Sequence, residues 1–417
     1  MRTDVLVVGA GLAGLACARR LSSAGVDHLV LERADAPGGR VRTDVVDGFR
    51  CDRGFQLVNP AYPEVPRVLD VEALDLRPFR AGVVVARGGR RHELHDPRRS
   101  PSGLLATLQA PYLTPRELLG LARWALPVLA DARAVQRGPD STLAESLDAA
   151  RVCGRLRRSV LEPFLAGVLA ESDQRTSATF AQLLVRSFVL GKPSVPASGM
   201  QALPDQLAAG LEPGRLRLGV DVAAARPGAV ETSQGPIQAR TVVVATDPPT
   251  AERLTEVPSP AMKGLTTWWF TPASGAEPPS TRPLLHLDGD RRGPVVNTAV
   301  MSLVAPEYAP AGRHLVQATE VGVSRESPHD AEQRVRSHLR LIYGADPRAW
   351  ELVVRHVIAR ALPEQPPPLR PRRPVDLSGG LFVAGDHRDT ASIQGALVSG
   401  RRAADAVMAH LGVARPD

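Results

Sequence analysis

Val5-Leu6-Val7-Val8-Gly9-Ala10-Gly11-Leu12-Ala13-Gly14 is the stretch whose reading decides the fold. Val5 to Val8 form an apolar run that reads as a buried strand, and Leu15-Ala16-Cys17-Ala18-Arg19-Arg20-Leu21 has the apolar spacing of a helix. A second short strand, Leu29-Val30-Leu31, ends in Glu32, 18 residues after Gly14. Strand, glycine turn, helix, strand and acid follow in the order a dinucleotide site needs. Gly9 permits the tight turn, Gly11 lets the backbone approach a pyrophosphate, and Gly14 allows helix to pack closely on strand. The helix N-terminus at Leu12 and Ala13 presents free N–H groups and a partial positive charge to the phosphates. Glu32 is placed to accept hydrogen bonds from a ribose.

Outward from this core, Glu32-Arg33 is followed by Gly38-Gly39-Arg40, where glycines again permit close backbone approach beside a charge-assisted donor. Gly48 to Gln56 then reads as a hairpin arm and a glycine-mediated crossing. Together with Asp52-Arg53-Gly54, these segments resemble the N-terminal signature of the flavin-dependent amine oxidase superfamily, which includes monoamine oxidases, protoporphyrinogen oxidases and phytoene desaturases. The resemblance implies that Gly38, Gly39 and Arg40 lie against the FAD pyrophosphate and flavin, and that Gly54, Phe55 and Gln56 pass the flavin ring. Pro196-Ala197-Ser198-Gly199-Met200-Gln201-Ala202-Leu203-Pro204 is similar to a stretch of the desaturase and protoporphyrinogen-oxidase branch, with Ser198 in place of a glycine.

The far end of the chain carries a second signature. Leu381-Phe382-Val383-Ala384-Gly385-Asp386 reads as an apolar strand ending in Gly-Asp, and a helix start follows at Gln394, eight residues after Asp386. This resembles the superfamily's C-terminal flavin motif, which assigns Gly385, Asp386, Ser392, Gln394 and Ala396 to the cofactor. Asp386 is suited to accept from ribityl or ribose hydroxyls, and the helix points its positive end at the flavin N1–C2=O edge. Between the two signatures, Leu216 to Val222 reads as one strand, and Val242 to Pro249 resembles another strand of the superfamily. The resemblance places the Val222 backbone at the adenine and Ala245-Thr246 beside the cofactor.

Composition bounds the remaining options. The 417 residues are enough for two domains, and 43% hydrophobic with 23% charged residues is ordinary for a soluble globular protein. No span of about 20 residues is free of charge, so the expected compartment is the cytoplasm. Of 51 basic residues only Lys192 and Lys263 are lysines, and aromatics are 4%, so no basic face interleaved with aromatics suggests nucleic-acid binding. Cys17, Cys51 and Cys153 have neither metal-ligand nor disulfide-framework spacing, and no metal is expected. With no cysteine after Cys153, the FAD is expected to be noncovalent, and His387 is expected to be hydrogen-bonded or exposed. No second Gly-x-Gly-x-x-Gly appears, so re-oxidation by oxygen or a quinone-like acceptor is expected.

Residues 60–100 read as irregular, apart from a strand at Val83 to Val85. Residues 103–130 read as two amphipathic helices, the first ending before Pro111 and the second interrupted by Pro127. Two readings of them stay open, a lid packed on its own domain and a peripheral membrane contact. Ser141-Thr142 with Glu145 forms a capping box. Amine oxidases commonly carry a lysine that reaches flavin N5 through a water. Leu265 falls at that position, and Lys263, two residues earlier, reads as a solvated loop residue. His286, His314 and His356 read as satisfied core or surface groups, and no catalytic residue is assigned.

The fold expected is α/β, with a discontinuous Rossmann-like FAD-binding domain (1–75, 200–260 and 370–417) and an α+β substrate domain inserted in two pieces (76–199 and 261–369). The function expected is FAD-dependent hydride removal from a substrate C–H, on an apolar or polycyclic small molecule. An amine oxidase and a flavin-binding protein with little catalysis are the alternatives.

Overall fold

The computed structural model describes residues 2–415. Two seven-stranded sheets organise it. In the first, Arg2–Val8 is central, with His28–Leu31 and then Leu216–Arg217 on one side and Gly235–Val244 on the other. These pairings are parallel, and Leu381–Val383 also joins Gly235–Val244 in parallel. An antiparallel hairpin, Val222–Arg226 and Ala229–Thr232, completes the far edge.

Both faces of this sheet are covered, so Val5, Leu6, Val7 and Val8 are all buried. Strand alternation sends Val5 and Val7 to the side of the helices Leu12–Ser23 and Ile393–Leu411, while Leu6 and Val8 meet Ala251 and Leu254 of Pro248–Thr255. The first segment therefore reads as a continuous apolar run rather than an alternating one.

The second sheet runs Glu351–Pro363, Met262–Thr271, Val316–Val321, Val295–Val300, Leu285–Asp288, Gly82–Arg87 and Arg90–His95. Trp268 and Phe270 pack on Val335, Leu339 and Ile342 of the helix Pro328–Tyr343. Trp269, on the opposite face, donates its indole N–H to the Asp52 carbonyl at 3.2 Å, tying this sheet to the N-terminal segment. A helical layer made of Pro115–Ala130, Leu143–Ala149, Glu162–Leu169 and Ala178–Leu190 shares a core of Trp124, Leu147, Leu165, Phe180 and Leu184.

Three local expectations change. Leu216 to Val222 is not one strand: Gly219, at φ +71°, breaks it, and the N–H groups of Gly219 and Val220 donate to the carbonyls of Ala34 and Glu32. Pro127 does not interrupt its helix, which continues to Ala130 at the cost of the one N–H bond to the Arg123 carbonyl. Nearby carbonyls of Trp124 and Leu129 take donors from Gln182 and Arg186 of the adjacent helix. The 60–100 region is more regular than expected, since Gly82–Arg87 and Arg90–His95 form a hairpin that edges the second sheet. The capping box is present, with Glu145 N–H donating to Thr142 Oγ1 and Thr142 N–H to the Glu145 carboxylate.

Candidate active site

At the edge where Arg2–Val8, His28–Leu31 and Gly235–Val244 end, the chain leaves the central strand toward neighbours on opposite sides. Such a switch point opens a crevice in a parallel sheet. Here Val8, Leu31, Ala245 and Gly385 border a cavity of about 750 Å³. The glycine loop lies across it, and its glycines differ in what surrounds them. Gly9 has φ +103°, and a Cβ there would stand 2.8 Å from the Ala245 carbonyl oxygen. A Cβ on Gly14 would stand 1.9 Å from the Gly9 carbonyl oxygen. A Cβ on Gly11 would meet nothing within 4 Å.

Gly11 is also the N-cap of the Leu12–Ser23 helix, with no side-chain cap and no acid in the first turn. Bare backbone, open space and the positive end of a 12-residue helix thus coincide on the cavity wall. That arrangement fits a pyrophosphate, so the residues present suit a dinucleotide cofactor.

Several charged groups brace this wall. Glu32 accepts from the N–H of Ala10 at 2.7 Å with one carboxylate oxygen and from that of Ala34 at 2.9 Å with the other. Arg40 donates to the Ala361 carbonyl at 2.9 Å and to Asp386 at 2.6 Å. Gln56 Nε2 donates to the Arg40 carbonyl at 2.8 Å. The Ile393–Leu411 helix begins at the same cavity, capped by Ser392 Oγ accepting from Gly395 N–H. Close approach of the two helices makes this convergence sterically feasible, since a Cβ on Gly400 would stand 2.1 Å from the Ala13 carbonyl oxygen.

The residues assigned from sequence to the cofactor are brought together, although their segments lie up to 387 positions apart, from Gly9 to Ala396. Two of them do not line the cavity. Gly14 is the packing point between loop and helix. Gln394 turns its amide oxygen to the Glu64 N–H at 2.9 Å, where it braces the short helix Val65–Val68.

Beyond the Phe55–Gln56 strip the cavity changes character. Asn59, Tyr62, Phe164, Gly167, Val168, Leu184, Phe188, Leu265, Leu285 and Asn297 are among its further lining residues. Phe164 and Phe188 meet edge to face at 5.2 Å. Tyr62 is the one ionisable side chain among these, and burial pushes its phenol up to about 12. Sequence reading found only Leu265 of this set. The others come from a loop, two helices and two strands, and only tertiary packing juxtaposes them.

Lys263 is not a solvated loop residue. It lies in the Met262–Thr271 strand, and its ammonium is nearly enclosed. It donates to Glu171 at 2.5 Å, Thr176 Oγ1 at 2.7 Å and the Leu169 carbonyl at 3.2 Å. Strand register with Glu351–Pro363 shifts between Lys263 and Leu265, and only Leu265 reaches the cavity wall. His387 likewise differs from expectation. It is 2% exposed, and neither ring nitrogen has a hydrogen-bond partner among the described residues. Burial pushes its pKa down to about 4, so the ring is neutral at pH 7. It does not line the cavity. His286 is satisfied, by the Leu284 carbonyl and Ser280. His314 Nδ1 meets Ser302, and His356 pairs with Asp44 at 2.9 Å while its Nδ1 stays buried without a partner.

Directly behind the Gly54 strip, Asp52 gathers three segments. Its carboxylate accepts from Thr43 Oγ1 at 2.5 Å, Met200 N–H at 3.0 Å and Tyr308 OH at 2.8 Å. Burial outweighs these donors and raises its pKa to about 6. Its unfolded value is near 3.9, so the folded state takes up the proton more readily. The native state therefore loses stability as pH rises from about 4 to about 6. Asp52→Asn keeps an oxygen for Thr43 and Met200 and carries no charge. It is expected to be about 1–2 kcal/mol more stable than wild type at pH 7.5, with the gap closing below about pH 4, read from urea denaturation at both pH values.

The family model for flavin-containing amine oxidoreductases matches residues 12–408 of the chain. The putrescine oxidase of Kocuria rosea is 41% identical over 92 residues, which span 21% of this chain and 19% of that protein. The zeta-carotene-forming phytoene desaturase of Myxococcus xanthus is 48% identical over 61 residues, 15% of this chain and 11% of that one. The matched segments thus span about a fifth or less of these relatives' length. The crystal structure of an oxidoreductase from Methanosarcina mazei superposes with a TM-score of 0.74 at 17% identity, covering 99% of this chain and 100% of that one. No described helix is long and apolar enough to cross a membrane.

Proposed function

Because the chain belongs to the flavin-containing amine oxidoreductase family, we propose that it is an FAD-dependent oxidoreductase, with the cofactor held noncovalently, that removes hydride from a C–H of a neutral, largely apolar small molecule. One observation carries the substrate reading. The cavity region walled by Asn59, Tyr62, Phe164, Phe188, Leu265 and Asn297 carries neither carboxylate nor cation on those residues, and among the charged lining residues Arg40 is paired with Asp386 and Arg360 with Asp247. A protonated amine entering it would leave water without a counter-charge, at a cost of several kcal/mol. A neutral apolar molecule would gain roughly 25 cal/mol for each Å² it buries.

The residues that would hold the cofactor are the Gly9–Ala13 backbone, Glu32, the Gly38–Arg40 turn, Asp386 and the N-terminus of the Ile393–Leu411 helix. A flavin bound there supplies the hydride-accepting ring. The chain supplies placement, exclusion of water by Phe164, Leu184, Phe188 and Leu285, and the positive ends of two helices. Noncovalent attachment is supported by the walls themselves, since none of the three cysteines nor His387 lines the cavity.

The test is a visible spectrum before and after acid precipitation, followed by anaerobic bleaching with paired substrates. Release of the colour into the supernatant, then bleaching by neutral apolar C–H donors but not by primary amines, is expected. Bleaching by a primary amine alone would establish the amine-oxidase alternative. Colour retained in the pellet would refute noncovalent binding.

A peripheral membrane contact is also proposed, on a separate observation. Six of the chain's twelve exposed large apolar side chains among the described residues fall between Leu104 and Leu126. Their longer helix packs on Ala178–Leu190, which lends Leu184 and Phe188 to the cavity. Co-sedimentation with anionic phospholipid vesicles, reduced at least about tenfold by Leu119→Asp, is the expected result.

A further inference from the structure

Asn297 is one of the few polar residues in the proposed substrate chamber. It lies in the Val295–Val300 strand, is 2% exposed and lines the cavity between Leu265, Leu285 and the Glu162–Leu169 helix. Burying an amide without a partner costs about 1–3 kcal/mol, so such a group calls for an explanation. Its Oδ1 is sealed from solvent and has no partner among the described residues. Its Nδ2 occupies a particular place: a Cβ on Gly167 would stand 1.8 Å from it. The missing side chain of Gly167 is therefore what lets the Asn297 amide lie at this wall, and Gly167 itself lines the cavity.

Other polar groups of the chamber differ. Asn59 is satisfied at both ends, by the Ser187 carbonyl and the Ala61 N–H. Gln56 shares the buried acceptor without a partner, at its Oε1, but has its Nε2 committed to the Arg40 carbonyl. Tyr62 stands on the loop side and is only half-buried.

We infer that the Asn297 amide is a specificity subsite, donating Nδ2–H to one hydrogen-bond acceptor on an otherwise apolar substrate. The substrate class then narrows from hydrocarbon to an apolar skeleton bearing a carbonyl, ether or hydroxyl oxygen. A site that hydrogen-bonds a ligand group discriminates strongly against the analogue lacking it, because its own polar atom is left unpaired. This inference rests on the apolar-substrate reading above, and the test separates the two.

The probes are 2-acetylnaphthalene and 2-ethylnaphthalene, nearly isosteric and differing in one oxygen, with 2-naphthylmethylamine as the cationic control. Binding to the flavin-loaded protein is read from perturbation of its visible spectrum. The ketone is expected to bind about tenfold tighter than the hydrocarbon, a gap of about 1.4 kcal/mol. Asn297→Leu is expected to erase that gap while leaving hydrocarbon affinity within about twofold. Asn297→Ser, a smaller change, should narrow it, and serves if the leucine variant does not fold. Equal binding of ketone and hydrocarbon to wild type would overturn the subsite and leave the apolar chamber standing. A gap of wild-type size in either variant would overturn it too. Binding of the amine alone would overturn the chamber reading itself.

Discussion

Gly11→Val is expected to abolish flavin retention while leaving the fold intact. Gly9, Gly14 and Gly38 have little or no room for a side chain, because a Cβ on each would meet backbone atoms at 2.8, 1.9 and 2.4 Å. Replacing any of them would unfold the loop and cost the cofactor for trivial reasons. Gly11 is different, since its Cβ would meet no protein atom within 4 Å and its φ is −72°. Valine adopts that backbone without strain. Its branched side chain would stand in the open space before the helix N-terminus, where the pyrophosphate is proposed to sit. Loss of the phosphate contacts should weaken FAD binding by at least about 100-fold, or about 2.7 kcal/mol. The purified variant should be colourless, with an apo-protein thermal midpoint within about 2 °C of wild-type apo-protein. A yellow Gly11→Val protein with wild-type flavin content would remove the glycine loop from the cofactor site.

Asp386→Ala should produce the second-largest effect, and here stability and cofactor fall together. Asp386 is 5% exposed at its side chain and pairs with Arg40 at 2.6 Å, joining the Gly38–Arg40 turn to the C-terminal flavin segment. Arg40 also holds the Ala361 carbonyl of the second sheet, so one guanidinium ties three segments. Removing the carboxylate leaves Arg40 with a carbonyl alone. Breaking a buried pair from one side costs about 3–5 kcal/mol. Arg40 is 29% exposed, so water recovers part of this, and a loss of about 2–3 kcal/mol is expected.

The same substitution removes a carboxylate that lines the cavity, and flavin retention should fall at least about tenfold. Asp386→Asn keeps an oxygen for Arg40 and should fall between the two proteins in both respects. Denaturation of the apo-proteins isolates the structural part, and flavin titration isolates the ligand part. An alanine variant destabilised but binding FAD like wild type would make Asp386 a structural strut only.

The proposed cofactor half of this protein was legible in its sequence because its residues are local. Gly9 to Glu32 is one continuous unit, in which Gly9 is demanded by a turn and Gly14 by a close approach to the Gly9 carbonyl, while Gly11 leaves open space before the helix. The Gly385–Asp386 strand end and the helix after it form a second such unit. Even so, Gln394 was assigned to the cofactor although it faces Glu64, since sequence spacing gives a helix start but not the direction of each side chain on its first turn.

The proposed substrate half was decided by tertiary structure alone. Asn297, Gly167, Phe188 and Tyr62 stand on four separate segments, and no periodicity or spacing relates them. Lys263 shows the same limit sharply. Two residues before Leu265 in a strand, it would share that face, but the register shift between them leaves one on the cavity wall and the other in a buried pair with Glu171. A backbone motif fixes its own chemistry, because the atoms that bind are neighbours in the chain. A side-chain chamber does not, because its character depends on which faces of distant elements meet.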